Sequence, residues 1–164
     1  EFNMSYQKVE ARIKKLISIE GKRTVDNFHR ELGNILWEYC GMSRNNSGLK
    51  KAKKLIKDLR TEYWENVLVG GSEQNFNQSL ERAWRVADFL EFGELMVTDA
   101  LERQESCGGH FNEKFQTGEN EALRDDKHFC HVSAWEFNGD KRKPKFHKEP
   151  LTFENVELTQ RSYK

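Results

Sequence analysis

The chain has 164 residues, of which 36% are hydrophobic and 33% are charged, a length that suits one domain with its own core. Its 27 Lys and Arg residues balance 27 Asp and Glu residues, which argues against a nucleic-acid-binding protein, since such proteins usually carry a basic excess. No apolar run approaches the ~20 residues that a membrane-spanning helix needs, so direct membrane insertion is not expected.

The spacing of apolar residues predicts two helices in the first quarter of the chain. The first is expected over residues 5–19. The second should begin after Thr24, which is a suitable N-cap, and end at Gly41. Gly33 lies inside this second helix, where glycine costs about 1 kcal/mol relative to alanine. We therefore expect a close contact with another helix at Gly33.

Two longer helices are predicted next in the chain. After a loop at residues 42–48, a third helix should run over residues 49–64, with a lysine-rich face that is solvated. A turn at residues 69–72 precedes the longest helix, expected from Asn77 or Ser79 to Ser106. Phe89, Phe92 and Met96 widen its apolar surface beyond one stripe, so we expect this helix to contact more than its own bundle.

The character of the sequence changes after Gly108. Residues 131–137 are typical of a strand, and Asn138-Gly139 is a strong turn signal. Residues 151–158 are expected to form a second extended segment. We therefore expect a helical bundle over residues 1–110 and an extended tail with short strands over residues 111–164, both in the same domain.

The sequence offers little evidence of cofactor or metal chemistry. It contains neither a Gly-x-Gly-x-x-Gly dinucleotide fingerprint nor a phosphate-binding loop that ends in Lys-Ser/Thr, so no cofactor site is expected in this chain. The three cysteines, Cys40, Cys107 and Cys130, show no disulfide framework, and we expect free thiols. Zinc-ligand types do occur close together, but without the usual paired spacing, at Cys107, His110, His128, Cys130 and His131.

The most informative segment is residues 101–110, where a long helical pattern enters a Gly-Gly turn rich in charged and hydrogen-bonding groups. Such groups form charge-assisted bonds that can fix one surface against another, and glycines allow close backbone approach. A domain-docking surface is therefore expected at Arg103, Glu105, Ser106, Gly108, Gly109, His110, Arg124, Asp125 and Asp126. The competing interpretation is that these residues only cap the long helix and stabilise its own turn.

Residues 103–110, followed by Arg124-Asp125-Asp126, resemble the R-x-E-S-R-G-A-H … R-D-D signature of the succinate dehydrogenase and fumarate reductase flavoprotein subunit. That signature lies in the C-terminal helical domain of the subunit. The segment from Leu32 to Leu49 is also similar to the family and adds Arg44 to the expected docking residues. Residues 148–153 resemble the tails of Bacteroidetes-type members. The sequence departs from the commoner pattern at Cys107, where the family has Arg, and at Gly109, where it has Ala.

The resemblance implies a mainly α fold: a three-helix, spectrin-repeat-like bundle with a preceding lead-in helix and an irregular C-terminal tail that contains a short β-hairpin. It also implies that the chain is one domain of a larger enzyme that interconverts succinate and fumarate. In this family FAD is held by an upstream Rossmann-like domain, and the dicarboxylate is bound there and by a capping domain. No catalytic, cofactor-binding or metal-binding residue is therefore assigned to this chain.

The partners that the resemblance implies are the FAD-binding and capping domains of the parent chain, an iron–sulfur subunit and a membrane-anchor cytochrome b subunit. The complex would lie on the cytoplasmic face of the inner membrane, and this domain would contribute packing and docking. L-Aspartate oxidase shares the architecture, but its tail does not usually carry this loop. The alternative from another class is a free-standing helical interaction module, with or without a Cys/His zinc site.

Overall fold

A computed structural model of the chain describes residues 1–72, 76–139, 142–160 and 162. Its helices are α1 (Phe2–Ile17), α2 (Val25–Cys40), α3 (Asn46–Asn66), α4 (Gln78–Glu102) and the short α5 (Asp126–Phe129). Its strands are β1 (Arg23–Thr24), β2 (Val67–Leu68), β3 (His131–Glu136) and β4 (Lys145–Pro150). The expected mainly α fold with a C-terminal β-hairpin is confirmed. None of the described helices is long and apolar enough to span a membrane.

Helices α2, α3 and α4 form the bundle, and their apolar faces meet in one core. Tyr63 of α3 lies at its centre, where its ring meets Phe28 of α2 edge-on at 5.1 Å between centroids. The Tyr63 hydroxyl donates a 2.5 Å hydrogen bond to the Ala83 carbonyl on α4, and burial raises the pKa of this phenol. A short parallel pairing of β1 with β2, which sequence periodicity did not predict, also joins the start of α2 to the end of α3.

Helix α1 is the expected lead-in helix, although it begins at Phe2 rather than at residue 5. Leu16 is its one fully buried side chain and reaches the core. Its other contacts are mainly polar: the Arg12 guanidinium lies 4.4 Å from the Trp84 ring centroid and 2.5 Å from the Asp88 carboxylate on α4. The helix therefore packs on the bundle along one edge, and most of its surface stays exposed.

Side-chain caps set the helix starts more than apolar periodicity does. Thr24 caps α2 as predicted, by accepting a hydrogen bond from the Asn27 N–H. Asn45 accepts from the Gly48 N–H, so α3 begins at Asn46, three residues before the predicted start. Asn77 caps α4 in the same way through the Leu80 N–H, in agreement with the earlier of the two predicted starts. Asx side chains favour such positions because they satisfy N–H groups that lack helical partners.

The predicted close contact at Gly33 is wrong. A Cβ atom on Gly33 would meet no other atom within 4 Å, and the residue is exposed. The close approach between α2 and α4 is at Gly93 instead, where an added Cβ would lie 3.2 Å from Cδ1 of Leu32. The bundle therefore explains a glycine at position 93 but gives no internal reason for one at position 33.

The tail carries the expected hairpin, but its second strand lies earlier than predicted. Strand β3 pairs antiparallel with β4, from His131 opposite Pro150 to Glu136 opposite Lys145. The predicted extended segment at residues 151–158 therefore forms no strand. Trp135 packs on Phe146 across the hairpin at 4.6 Å between ring centroids and donates a 2.7 Å hydrogen bond to the Asp99 carboxylate. Because Asp99 belongs to α4, this bond holds the hairpin against the bundle.

Candidate functional site

The loop that follows α4 contains all the buried polar and charged residues in the described part of the chain: Glu105, Ser106, His110 and Asn112, whose exposures lie between 0% and 8%. Together with Arg44 and Arg103, which bond to them, they form what we call the polar junction. Buried polar groups are stable only when their hydrogen bonds are made. The hydrogen-bond partners of each residue therefore show which groups are already satisfied inside the junction.

The Glu105 carboxylate joins the end of α4 to the start of α5. Its Oε1 atom accepts from Arg103, at 2.9 Å from Nε and 2.8 Å from Nη2, and its Oε2 accepts a 2.9 Å bond from the Asp125 N–H. Helix α4 ends at Glu102, not at the predicted Ser106, with the Arg103 N–H as its last bond to Asp99. Beyond Arg103 the chain is no longer helical, and the side chains of Glu105 and Ser106 form hydrogen bonds with residues of the following loop.

His110 lies between one group that can only donate a hydrogen bond and one that can only accept it. Its Nδ1 is 3.0 Å from Nη1 of Arg44, which can only donate, and its Nε2 is 3.0 Å from the Arg103 carbonyl oxygen, which can only accept. The imidazole is therefore the neutral tautomer protonated on Nε2. Burial lowers the pKa of His110, and the nearby Arg44 and Arg103 charges lower it further, against the opposing effect of the bond to the Arg103 carbonyl.

Ser106 and Asn112 close the loop upon itself. The Ser106 hydroxyl donates to the Asn112 carbonyl at 3.1 Å and accepts from the Asn112 N–H at 2.9 Å. The Asn112 side chain then donates to Asn46 at 3.1 Å, in the first turn of α3. Backbone bonds from Arg44 to Phe111 and from Glu113 to Arg44 run beside these contacts. The loop is thus attached to the α2–α3 connection as firmly as to α4.

The Arg124–Asp126 segment meets the junction only through the backbone of Asp125. The Arg124 guanidinium bonds Asp126 at 2.6 Å and the Thr159 carbonyl at 3.0 Å, so it holds the tail rather than the loop. Its hydrogen bond to Asp126 raises the pKa of Arg124. Asp125 caps α5, and its hydrogen bond to His128 lowers the pKa of its carboxyl group.

The Gly-Gly turn forms the exposed tip of the junction. Gly108 has a φ of 58°, a left-handed conformation that favours glycine. Gly109 does not have a positive φ, and a Cβ atom on either glycine would meet nothing within 4 Å. Cys107 and His110 exchange backbone hydrogen bonds of 2.9 and 3.1 Å across the turn. The tip is therefore small, tightly held and open to an approaching surface.

Two of the five candidate zinc ligands already bond to other groups. Both ring nitrogens of His110 are bonded within the junction, and Nδ1 of His128 is 2.8 Å from Asp125. Within the described ranges, no group of three or more His, Cys, Asp and Glu side chains is arranged to hold a metal ion. All three cysteines are free thiols, and burial raises the pKa of Cys40.

Sequence reasoning missed Asn112, Asn46 and Glu113. Glu113 accepts bonds from Ser43 at 2.9 Å and Asn45 at 3.2 Å, which adds a second link between the loop and the α2–α3 connection. These residues are separated from their partners by 66 to 70 positions in the chain. No local spacing pattern identifies such pairs, and polar residues in a loop are usually solvated.

Two large apolar side chains lie exposed near the same end of the molecule. Trp37, near the end of α2, is 84% exposed, and Met42, in the α2–α3 connection, is 90% exposed. Met42 is two residues from Arg44, so their Cα atoms lie within about 7.6 Å of each other. Tryptophan and methionine are enriched at the centres of protein interfaces.

Comparison with known proteins gives one family. A family model described as fumarate reductase flavoprotein C-term matches residues 29–163. The fumarate reductase flavoprotein subunit of Haemophilus influenzae is 28% identical over 62% of this chain and 17% of its own length. L-Aspartate oxidase 2-b of Nicotiana tabacum is 36% identical over 52% of this chain and 13% of its own length. The chain thus spans less than a fifth of the length of these curated relatives.

Solved structures share the fold. A chain of the quinol fumarate reductase of E. coli has a TM-score of 0.81 and 21% identity, over 96% of this chain and 26% of that chain. A chain of the Sdh1 complex of Mycobacterium smegmatis in the apo form has a TM-score of 0.70 and 19% identity, over 93% of this chain and 25% of that chain. The bundle, the loop after α4 and the hairpin therefore follow an arrangement that recurs as one part of larger polypeptides.

Proposed function

Because the chain belongs to the family of fumarate reductase flavoprotein C-terminal domains, we propose that it is the docking domain of a flavoprotein subunit that interconverts succinate and fumarate. FAD and the dicarboxylate would bind to upstream domains of the parent chain, and electrons would pass to an iron–sulfur subunit in electron transport and the tricarboxylic acid cycle. A membrane-anchor cytochrome b subunit would hold the complex on the cytoplasmic face of the membrane. The described residues carry no catalytic group in this proposal.

The observation that carries the docking role is the exposure of Met42, two residues from Arg44 of the polar junction, and of Trp37 in the last turn of α2. Burying a methionine side chain fully contributes roughly 1.5–3 kcal/mol, and tryptophan has a larger apolar surface to bury. The junction holds the neighbouring backbone in place, because Arg44 is bonded to His110 and to Phe111. A rigid surface loses less conformational entropy on docking than a mobile one, so more of the burial energy remains as affinity.

The ten residues expected from the sequence to form a docking surface divide into three groups in this proposal. Glu105, Ser106 and His110 are buried, so they act from inside by holding the loop in shape. Gly108 and Gly109 are exposed at the tip, and Asp126 is exposed at the start of α5. We propose that the exposed members contact the upstream FAD-binding domain. Half-buried Arg44, Arg103 and Asp125 bond to the buried members, and half-buried Arg124 pairs with Asp126.

The test compares exposed apolar residues in the full-length parent subunit. Trp37→Ser combined with Met42→Ser should leave the melting of the 164-residue chain nearly unchanged, because both side chains are exposed. In the full-length subunit the same pair should increase protease cleavage before the domain and reduce FAD retention. Phe137→Ser is the matched control, since Phe137 is 73% exposed on the hairpin loop. Equal behaviour of the pair and the control would remove the docking role from this surface.

L-Aspartate oxidase is the second candidate for the parent enzyme, because the Nicotiana tabacum relative is 36% identical over 86 residues. The family model described as fumarate reductase flavoprotein C-term, which matches residues 29–163, favours the first candidate. Steady-state assays of the purified parent subunit separate the two. Succinate-dependent dye reduction without aspartate-dependent peroxide formation supports the proposal, and the opposite result identifies an aspartate oxidase.

A further inference from the structure

A groove between α2 and α4 lies outside the polar junction and is not used by the proposed docking role. A cavity of about 340 Å³ lies between α2 and α4. A second cavity of about 430 Å³, lined by described residues of α2 alone, adjoins it on the outer face of α2, and the two share Asp26 and His29. We call the two together the α2–α4 groove. Its lining residues on α2 extend from Val25 to Asn34, which corresponds to about 14 Å along a helix. Its length suits an extended segment better than a compact ligand.

The rim of the groove is positively charged. Arg82 and Arg85 line it from α4, and Arg30 lines it from α2. Asp26 is the one carboxylate among the described lining residues, and its ion pair with Arg82 is long, at 3.9 Å, with both side chains more than 60% exposed. Arg85 pairs with Glu81 one turn away on the exposed surface. Such exposed pairs contribute little and exchange easily for another carboxylate.

The floor of the groove is apolar and aromatic. Val25 and Val86 are buried beneath it, and Phe89 remains 42% exposed at its side. The His29 and Phe89 rings lie 5.6 Å apart between centroids with an angle of 30° between their planes. An apolar side chain placed on this floor would bury the exposed Phe89 surface while the arginines met charged groups around it.

Gly33 gives an independent reason to expect a close neighbour in the groove. Glycine inside a helix costs about 1 kcal/mol relative to alanine, and a Cβ atom on Gly33 would meet nothing in this chain within 4 Å. Gly33 also lines the second cavity. The missing side chain therefore leaves room on the outer face of α2, where another backbone can approach the helix closely.

From this geometry we propose that the α2–α4 groove binds an acidic, extended segment of a partner polypeptide that carries at least one apolar side chain. The polar groups that line the groove, such as Arg30, Arg82 and Arg85, are exposed rather than buried. A small-molecule site usually encloses its ligand and directs a few fixed polar groups towards it. Interfaces between proteins instead combine arginine and aromatic residues around an apolar centre, as this groove does.

The proposal can be tested with the 164-residue chain and a defined probe. The probe is a fluorescein-labelled, end-blocked acidic peptide that contains one phenylalanine and one leucine, and its binding is followed by fluorescence anisotropy. The triple variant Arg30→Glu, Arg82→Glu, Arg85→Glu should weaken binding by at least about tenfold. The matched control reverses the same number of charges on α3, at Lys50, Lys54 and Lys57, and should bind like the wild type.

A second pair of variants avoids any change of charge. Gly33→Leu should fill the groove and weaken peptide binding, while Gly33→Ala adds one methyl group in open space and should preserve it. Neither should harm folding, because both replace a helical glycine with a better helix former. Loss of binding in Gly33→Leu alone, together with the charge result, supports the proposal.

Several results would overturn it. The first is the absence of saturable peptide binding, and the second is an equal loss of affinity in the α2–α4 and α3 charge variants. The third is equal binding of an acidic peptide without apolar residues, and the fourth is displacement of the peptide by succinate. The last result would indicate a small-carboxylate site instead of a protein-binding groove. Because these measurements use the isolated chain, they can fail while the docking role in the parent subunit stands, and the reverse is also true.

Discussion

The helix bundle and the polar junction are both well-packed regions, but different forces hold them together. In the bundle, α2, α3 and α4 meet through side chains such as Phe28, Ile56 and Leu90, which are fully buried. In the junction, buried Glu105 and His110 depend on individual hydrogen bonds to residues far away in the chain. Apolar packing is non-directional, whereas each hydrogen bond needs a specific partner. The bundle should therefore tolerate conservative changes that the junction does not.

The largest expected effect is a cavity in the bundle. Ile56→Ala removes a fully buried side chain from α3, and such truncations cost about 2–5 kcal/mol. Urea unfolding of the chain measures the loss. Ile56→Val should cost only about 0.5–1.5 kcal/mol, since the packing is largely kept. A small effect of Ile56→Ala would show that the core is not close-packed at this position.

The next effect should come from the junction. Glu105→Ala leaves the Asp125 N–H and the Arg103 guanidinium without their acceptor, and we expect a loss of about 1–3 kcal/mol. Unlike Ile56, Glu105 should also be sensitive to an isosteric change, because Glu105→Gln removes the charge while it keeps the shape. The exposed neighbour Glu102 serves as the control, and Glu102→Ala should stay within about 0.5 kcal/mol. Equal stability of the two alanine variants would show that the Glu105 contacts contribute nothing.

The pH dependence of stability separates the two regions further. The pKa of His110 is lower in the folded chain than its ordinary value of 6.5. The unfolded chain therefore binds the extra proton first, so the His110 contribution is complete above pH 6.5 and is lost progressively as the pH falls below that value. Protonation would also place two donors, His110 Nδ1 and Arg44, against each other.

Unfolding free energies of the wild type and of His110→Gln, measured between neutral and mildly acidic pH, test this directly. The wild type should lose more stability than the variant as the pH falls. The other four histidines are present in both proteins, so their titration cancels in the comparison. Parallel pH curves would mean that His110 binds its proton equally well in the folded and unfolded chains.

The smallest effect is expected at the edge of the junction. Arg124→Ala removes the ion pair with Asp126 and the bond to the Thr159 carbonyl, both of them at exposed or half-exposed positions. Such pairs contribute up to about 1 kcal/mol. The melting temperature should hardly change, while hydrogen exchange at residues 157–160 should become faster. A large fall in melting temperature would place Arg124 among the residues that hold the junction.

The sequence predicted the bundle well because burial repeats with the period of the helix. The expected stripe of α3, which is Leu49, Ala52, Ile56, Leu59 and Tyr63, is buried throughout. The errors concern features with no local period. The helical spacing predicts an internal contact at Gly33, but the space beside this residue opens outward. The sequence also predicts the second extended segment at residues 151–158, whereas the second strand, β4, is Lys145–Pro150.

The junction could be predicted only in part. The charged residues around the Gly-Gly turn identified the loop, because ordinary helix ends rarely carry so many. Their division into buried and exposed members was not predictable, since it depends on Arg44 and Asn46 from another part of the chain. A docking surface and an internal network draw on the same residue types. Only the three-dimensional structure shows which bonds each residue has already made.

In the proposed function, exposed Trp37 and Met42 and the Gly108–Gly109 tip dock onto the upstream part of a flavoprotein subunit. Hydrogen–deuterium exchange, compared between the 164-residue chain and the full-length parent subunit, tests it most directly. Docking should add protection in the parent at residues 37–44 and 107–110, and none at the turn of residues 117–120. Identical exchange at all three segments in both proteins would contradict the docking role.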